Sequence, residues 1–276
     1  NAPVFGETIQ EIGRISASGN FESGEGSIHT LDLCNRYVHR LLEDLDTDYK
    51  FKIAWDNGNG AAGNILRMLA AKLPGEHILL YDEVDGNFPN HHPDPTVDEN
   101  LQDLIKVVTE QNCDFGIAFD GDGDRLIMVD ENGGVVDGDQ IVYILARDAL
   151  KNGRLVGGVV GTLMTNIRME NALVKLGIPV HCAQISDRYV LATCEKRGWH
   201  IGGEGSGHIL NLRNSPTGDA IVAALQVLTT IERCQMPLSK LNQGYTPMAQ
   251  CMKNMPLDAR DDVVNDMDVD AEIKTL

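Results

Sequence analysis

Short continuous apolar runs alternate along this chain with longer stretches whose apolar residues recur at helical spacing. Over residues 31–45 the positions Leu31, Leu33, Tyr37, Val38, Leu41, Leu42 and Leu45 predict an amphipathic helix, preceded by a Gly- and Ser-rich loop at 16–27. Apolar runs at 51–55, 77–81, 115–119, 126–129, 157–161 and 180–184 predict strands. Helices are predicted from the glycines after the first strand to about residue 72, and over 97–111, 139–151, 166–176 and 189–197. Glu131-Asn-Gly-Gly134 supplies a turn. Strands that alternate with helices imply an α/β fold: two successive mixed, mainly parallel α/β domains with helices on both sheet faces. The polar, Gly-containing connection Lys151-Asn-Gly-Arg154 is the expected boundary between them.

The totals agree with two domains, because 276 residues exceed one typical domain and 42% apolar content suffices for real cores. A formal charge of −18 repels nucleic acid and anionic membranes, so neither is expected as a partner. Six scattered cysteines, Cys34, Cys113, Cys182, Cys194, Cys234 and Cys251, form no C-x-x-C pair and read as reduced thiols of a cytoplasmic protein. No apolar run approaches the roughly 18 to 20 residues of a membrane span, and no signal segment opens the chain. It starts at Asn1 without a methionine and closes on an acidic stretch at 261–276, so both ends read as cut.

The densest chemistry lies at Asp120-Gly-Asp-Gly-Asp-Arg125. Carboxylates at alternate positions can converge on one hard cation, and the glycines between them allow the tight fold this needs. Arg125 adds a planar fork suited to phosphate. Asp120, Asp122, Asp124 and Glu131 also match positions of a calcium loop, but Arg125 occupies the position that needs glycine and the preceding segment reads as strand.

Gly58-Asn-Gly-Ala-Ala-Gly63 follows a strand, opens a helix and has Asp82 further on, as in a dinucleotide-binding turn. An NAD-binding oxidoreductase is therefore a rival reading, although it gives the acidic loop no role. Gly202-Gly-Glu-Gly-Ser-Gly-His208 places a carboxylate, a hydroxyl and an imidazole on alternate residues. Glu204 can accept from two vicinal sugar hydroxyls, Ser206 can donate and accept, and His208 can reach phosphate or move a proton. His91 and His92 sit among prolines and read as part of a structural loop.

Together, Asp120 to Arg125 and Glu204 to His208, in two successive α/β units, resemble the α-D-phosphohexomutase family from the first residues to about Leu241. The resemblance implies four domains in the whole protein. Residues 1–27 would be the remnant of domain one, 28–150 domain two with the metal loop, 151–245 domain three with the sugar loop, and 246–276 a linker and the start of domain four. The family's phosphoserine motif T-x-S-H-N-P and its phosphate motif R-x-S-G-T-E-P do not occur in these residues. Phe88-Pro-Asn-His-His-Pro-Asp-Pro95 resembles the phosphomannomutase/phosphoglucomutase branch. Val136-Asp-Gly-Asp-Gln140, Gly161-Thr-Leu-Met164, Asp187-Arg-Tyr-Val190 and Thr217-Gly-Asp219 resemble phosphoglucosamine mutases. Ser186 stands where that branch has glycine, and Gly205 where it has Gln or Asn.

The resemblance implies interconversion of a hexose 6-phosphate and a hexose 1-phosphate, with glucosamine phosphate as the expected substrate, through a phosphoserine and a bisphosphate intermediate. Mg²⁺ would be held by Asp120, Asp122 and Asp124, with Arg125 as the catalytic cation. Asp187, Arg188, Glu204, Ser206 and His208 would bind the phosphorylated hexose. Without the serine, the chain alone is expected to be inactive.

Overall fold

The computed structural model describes residues 6–43 and 50–250, together with Val4 and Leu45. Cys251 and the acidic stretch at 261–276 lie outside the described residues. Two helices come first, α1 (Glu7–Ser18) and α2 (Cys34–Glu43). α1 takes the first residues of the expected loop and buries none of its side chains. α2 starts three residues later than the apolar spacing predicts, because Asp32 accepts the Cys34 amide at 2.9 Å and leaves Leu31 and Leu33 exposed.

The first α/β unit runs β1 (Phe51–Asp56), α3 (Gly63–Ala70), β2 (Gly75–Leu80), a 3₁₀ turn (Asp98–Leu101) leading into α4 (Gln102–Glu110), β3 (Phe115–Phe119), β4 (Leu126–Asp130) and β5 (Val135–Val136). Its strands order β2-β1-β3-β4-β5. The second unit runs α5 (Gly138–Lys151), β6 (Val159–Thr162), α6 (Ile167–Lys175), β7 (Val180–Ala183), α7 (Asp187–Arg197), β8 (Ile201–Gly203), β9 (Ile209–Asn211), α8 (Ala220–Cys234) and α9 (Leu238–Leu241), with strand order β7-β6-β8-β9.

Both sheets follow one plan. The chain steps from the first strand to one neighbour, returns through a helix to the other side, and then folds back antiparallel. Crossing from one side of β1 to the other, and likewise of β6, opens a crevice at the carboxyl ends of the parallel strands, where ligands of such sheets bind. The sheets are mixed as expected. In the first, parallel and antiparallel pairings are equally represented.

Burial explains the strand composition. β3 is buried at every position, which suits its unbroken Phe-Gly-Ile-Ala-Phe run. One face of the first sheet packs on Leu101, Leu104 and Val108 of the 3₁₀ turn and α4, a helical stripe. One face of the second packs on Val190, Leu191 and Cys194 of α7. Between the sheets lies a continuous core to which α3, α5, α6 and α8 contribute. Helices therefore cover both faces of each sheet.

The polar connection Lys151-Asn-Gly-Arg154 falls inside the second unit, because α5 before it packs on α6, α8 and β8. The change of sheet comes earlier, after β5. A capping box marks it: Asp137 accepts the Gln140 amide while the Gln140 side chain accepts the Asp137 amide.

Candidate functional site

The acidic loop joins β3 to β4 at a carboxyl end. Asp120 is buried, and its Oδ1 accepts the amides of Gly123, Asp124 and Arg125 at 3.0, 3.0 and 3.1 Å while Oδ2 accepts Arg125 Nε at 2.8 Å. One carboxylate thereby shapes the loop from inside. Asp122 is exposed, Asp124 half-buried, and one oxygen from each of the three carboxylates lies within 4.8 Å of the others. Such oxygen donors fit a hard divalent cation, and each carboxylate retains lone pairs beyond its hydrogen bonds. Burial raises the Asp120 pKa, with repulsion from Asp124 adding to it against the pull of Arg125. Asp124 is lowered, chiefly by its hydrogen bond from His208.

The second glycine loop joins β8 to β9 in the same way, and it meets the first. Arg125 and His208 pair as an antiparallel bridge, the Leu126 amide donates to the Gly207 carbonyl at 3.0 Å, and His208 Nδ1 lies 3.2 Å from Asp124 Oδ2. Gly207 has φ +98°, and a Cβ there would lie 2.2 Å from the Leu126 carbonyl, so this junction requires glycine. Burial opposes charge on His208, but Asp124, Asp187 and Glu204 outweigh it and raise its pKa. Glu204 is raised too, chiefly by burial.

The start of α7 closes the same crevice. The Ser186 amide donates to Glu204 Oε1 at 3.2 Å and its hydroxyl to Asp187 Oδ1 at 2.9 Å. Arg188 stacks over the Tyr189 ring at 4.6 Å. Ser206 is half-buried on the loop between Glu204 and His208. The acidic loop, the Glu204 loop and the start of α7 thus meet through Arg125, Asp124, His208, Glu204 and Ser186, while Arg188 contacts Tyr189 of its own helix.

Comparison with known proteins now adds the family. Residues 35–134 match the family model "Phosphoglucomutase/phosphomannomutase, alpha/beta/alpha domain II", and residues 137–248 match the corresponding domain III. The chain belongs to the α-D-phosphohexomutase family. It is 48% identical over 227 residues to a phosphoglucosamine mutase of Aeromonas hydrophila subsp. hydrophila, covering 81% of this chain and 50% of that protein. It is 41% identical over 245 residues to a phosphoglucosamine mutase of Pseudoalteromonas atlantica, covering 85% and 54%. A crystal structure of a phosphoglucomutase/phosphomannomutase family protein from Burkholderia thailandensis superposes with a TM-score of 0.80 at 30% identity, over 87% of this chain and 53% of that one. The chain spans about half the length of the curated relatives it matches.

Family membership and geometry together disfavour both rival readings. In the Gly58 to Gly63 turn a Cβ on Gly60 would lie 2.9 Å from the Asp120 and Gly121 carbonyls, and the Ala61 amide donates to Gly121. This turn packs against the acidic loop instead of leaving a berth for a pyrophosphate, and Asp82 is engaged by Arg67. The calcium-loop match fails because Glu131 binds Ser239 of α9 and the segment before the loop is β3. His91 bonds the buried Asp56 through Nε2 at 3.1 Å, in keeping with a structural loop.

Two residues of the Thr217-Gly-Asp219 motif, which in the sequence points only to a branch resemblance, have structural roles beside these loops. Gly218 packs against the His208 ring. Asp219 accepts the Val222 amide as the cap of α8, accepts the Tyr37 hydroxyl at 2.7 Å, and thereby helps aim the Ala220 amide at the Gly123 carbonyl. An Asp immediately before an apolar run is the cap signal that points to α8.

Proposed function

We propose that this chain supplies domains two and three of a phosphoglucosamine mutase, a phosphosugar isomerase that interconverts glucosamine 6-phosphate and glucosamine 1-phosphate. We place the domain junction at 134–137, with residues 1–27 as the tail of domain one and 246–276 leading into domain four. The observation that carries this reading is the bridge between Arg125 and His208, which makes one crevice of the acidic loop and the Glu204 loop. The glucosamine branch is favoured over the phosphomannomutase/phosphoglucomutase branch by the names of the relatives at 41% and 48% identity.

Asp120, Asp122 and Asp124 would hold Mg²⁺, which when bound offsets negative charge on a phosphoryl group in transfer. Arg125, fixed on Asp120, presents its remaining guanidinium edge as a positioned cation for phosphoryl oxygens. Glu204, steadied by the Ser186 amide, accepts hydrogen bonds from sugar hydroxyls, and Ser206 answers donor or acceptor as the sugar turns over. Asp187, Arg188 and His208 line the same substrate crevice. The phosphoserine that donates and recovers the phosphoryl group comes from outside these residues, so this chain alone binds but does not turn over.

Titration by NMR with glucosamine, glucose and mannose 6-phosphates in the presence of Mg²⁺ tests this reading. Glucosamine 6-phosphate is expected to bind most tightly and to weaken about tenfold, roughly 1.4 kcal/mol, in Glu204→Ala. Equal affinity for all three sugars would refute the glucosamine assignment.

A further inference from the structure

On the far side of the first turn of α8 from the acidic loop, a second cavity of about 350 Å³ opens between α2, α5, α8 and the strand pair β8–β9. That volume lies in the range of small-molecule sites. Among the described residues its charged lining comprises Arg40, which pairs with Glu43 at 3.8 Å, and Arg154, Arg213 and Arg233 against the two carboxylates Asp148 and Asp219. The wall is therefore positive within a chain of net charge −18.

The arginines come from separate segments and are held in place. Arg154 and Arg233 both bind Oδ2 of the buried Asp148, so one carboxylate faces two cations. Arg213 is anchored by the Arg154 carbonyl at 3.1 Å, a contact that fixes the side chain without neutralising it. Two further lining residues hold buried nitrogens without a partner among the described residues, His200 Nδ1 and Gln226 Nε2; the Gln226 Oε1 is taken by Asn211 at 2.7 Å. The Gln226 amide N–H groups are donors that an acceptor on a ligand would satisfy. Leu41, Leu145 and Leu225 give the cavity an apolar side.

We propose that this cavity is a second binding site, distinct from the crevice of the joined loops, for a small phosphate monoester with an apolar body. Planar guanidinium forks match phosphate oxygens, the positive excess suits a dianion, and the leucine side accepts the body.

The test is a titration of the full chain with phenyl phosphate, followed by NMR, with inorganic phosphate and acetate at matched ionic strength as comparisons. Saturable shifts are expected at Asn211, Arg213 and Gln226. Arg213→Gln, an exposed position, is expected to weaken binding at least fivefold with an unchanged melting temperature, and Gln226→Leu to weaken it independently. Glu204→Ala leaves this affinity unchanged, which separates this site from the proposed sugar site. Shifts confined to Arg125, Arg188 and His208, or indifference to Arg213→Gln, would overturn the proposal. So would equal shifts with acetate, and equal affinity for inorganic phosphate would overturn the organic ligand.

Discussion

Ser186 has φ 138° and ψ 141°, a backbone region that L side chains rarely adopt, directly before the residues that open α7 toward Glu204. Strain of this kind costs about 1–3 kcal/mol. Its hydroxyl bond to Asp187 compensates in part. Ser186→Gly is therefore expected to stabilise the chain by about 1 kcal/mol in urea unfolding; a loss of stability would show that the hydroxyl outweighs the strain. Asp139 is the second residue whose environment sets a measurable property. It is buried, accepts the Asn166 amide at 2.7 Å through Oδ2, and has no described partner for Oδ1. Burial raises its pKa from 3.8 to about 6. The folded chain then binds this proton more readily than the unfolded chain, so the stabilisation is full below about pH 4 and lost above about pH 6. Unfolding free energies are expected to fall by up to about 3 kcal/mol from this group as pH rises through that window, and Asp139→Asn to flatten the slope. The convergence of Asp120, Asp122 and Asp124 was legible in the sequence because alternating carboxylates and glycines have few structural uses. The burial of Asp139 was not, because the motif Val136 to Gln140 points only to a branch resemblance and an Asp near a helix start also reads as an ordinary cap or a solvated charge.

At the scale of elements, each unit uses a parallel strand, a tight loop and an antiparallel return strand, and the two loops hold the candidate site residues. β1, β3 and the amphipathic α4 were legible because their apolar patterns match a buried strand and a one-sided helix. β8 and β9 were not, because each has three residues and Gly202 and Gly203 give no strand signal. α8 escaped for the opposite reason. It is buried on most of its surface, so Gln226, Thr229, Thr230 and Arg233 leave only a narrow polar stripe in an otherwise apolar run. Its cap ties it to the site, since Asp219 holds the Val222 amide and the Tyr37 hydroxyl while Ala220 donates to Gly123. Asp219→Ala is expected to cost about 1–2 kcal/mol in urea unfolding, and Asp219→Asn, which keeps a cap acceptor, less than half of that. Equal losses would mean that the charge, not the cap, holds the helix.

For the whole molecule, the alternation of strands and helices gave the α/β class, whereas composition pointed to Lys151 to Arg154 as the junction and the packing of α5 points to a change of unit before that helix. A polar Gly-containing segment resembles a linker wherever it occurs. Here it follows α5, a helix that packs on α6, α8 and β8 of the second unit, which no local pattern records. The contact between units was equally invisible, because the pairing of Arg125 with His208 spans residues far apart in sequence. That contact is the centre of the proposed function, in which the acidic loop and the Glu204 loop would be two walls of one site. Substoichiometric Mn²⁺, a hard cation for the same oxygen ligands, tests it through amide relaxation. The account predicts that signals of residues 120–125 and 204–208 broaden together and that Asp122→Asn abolishes both effects. Broadening of the acidic loop that leaves Gly207 and His208 sharp, or broadening indifferent to Asp122→Asn, would contradict it.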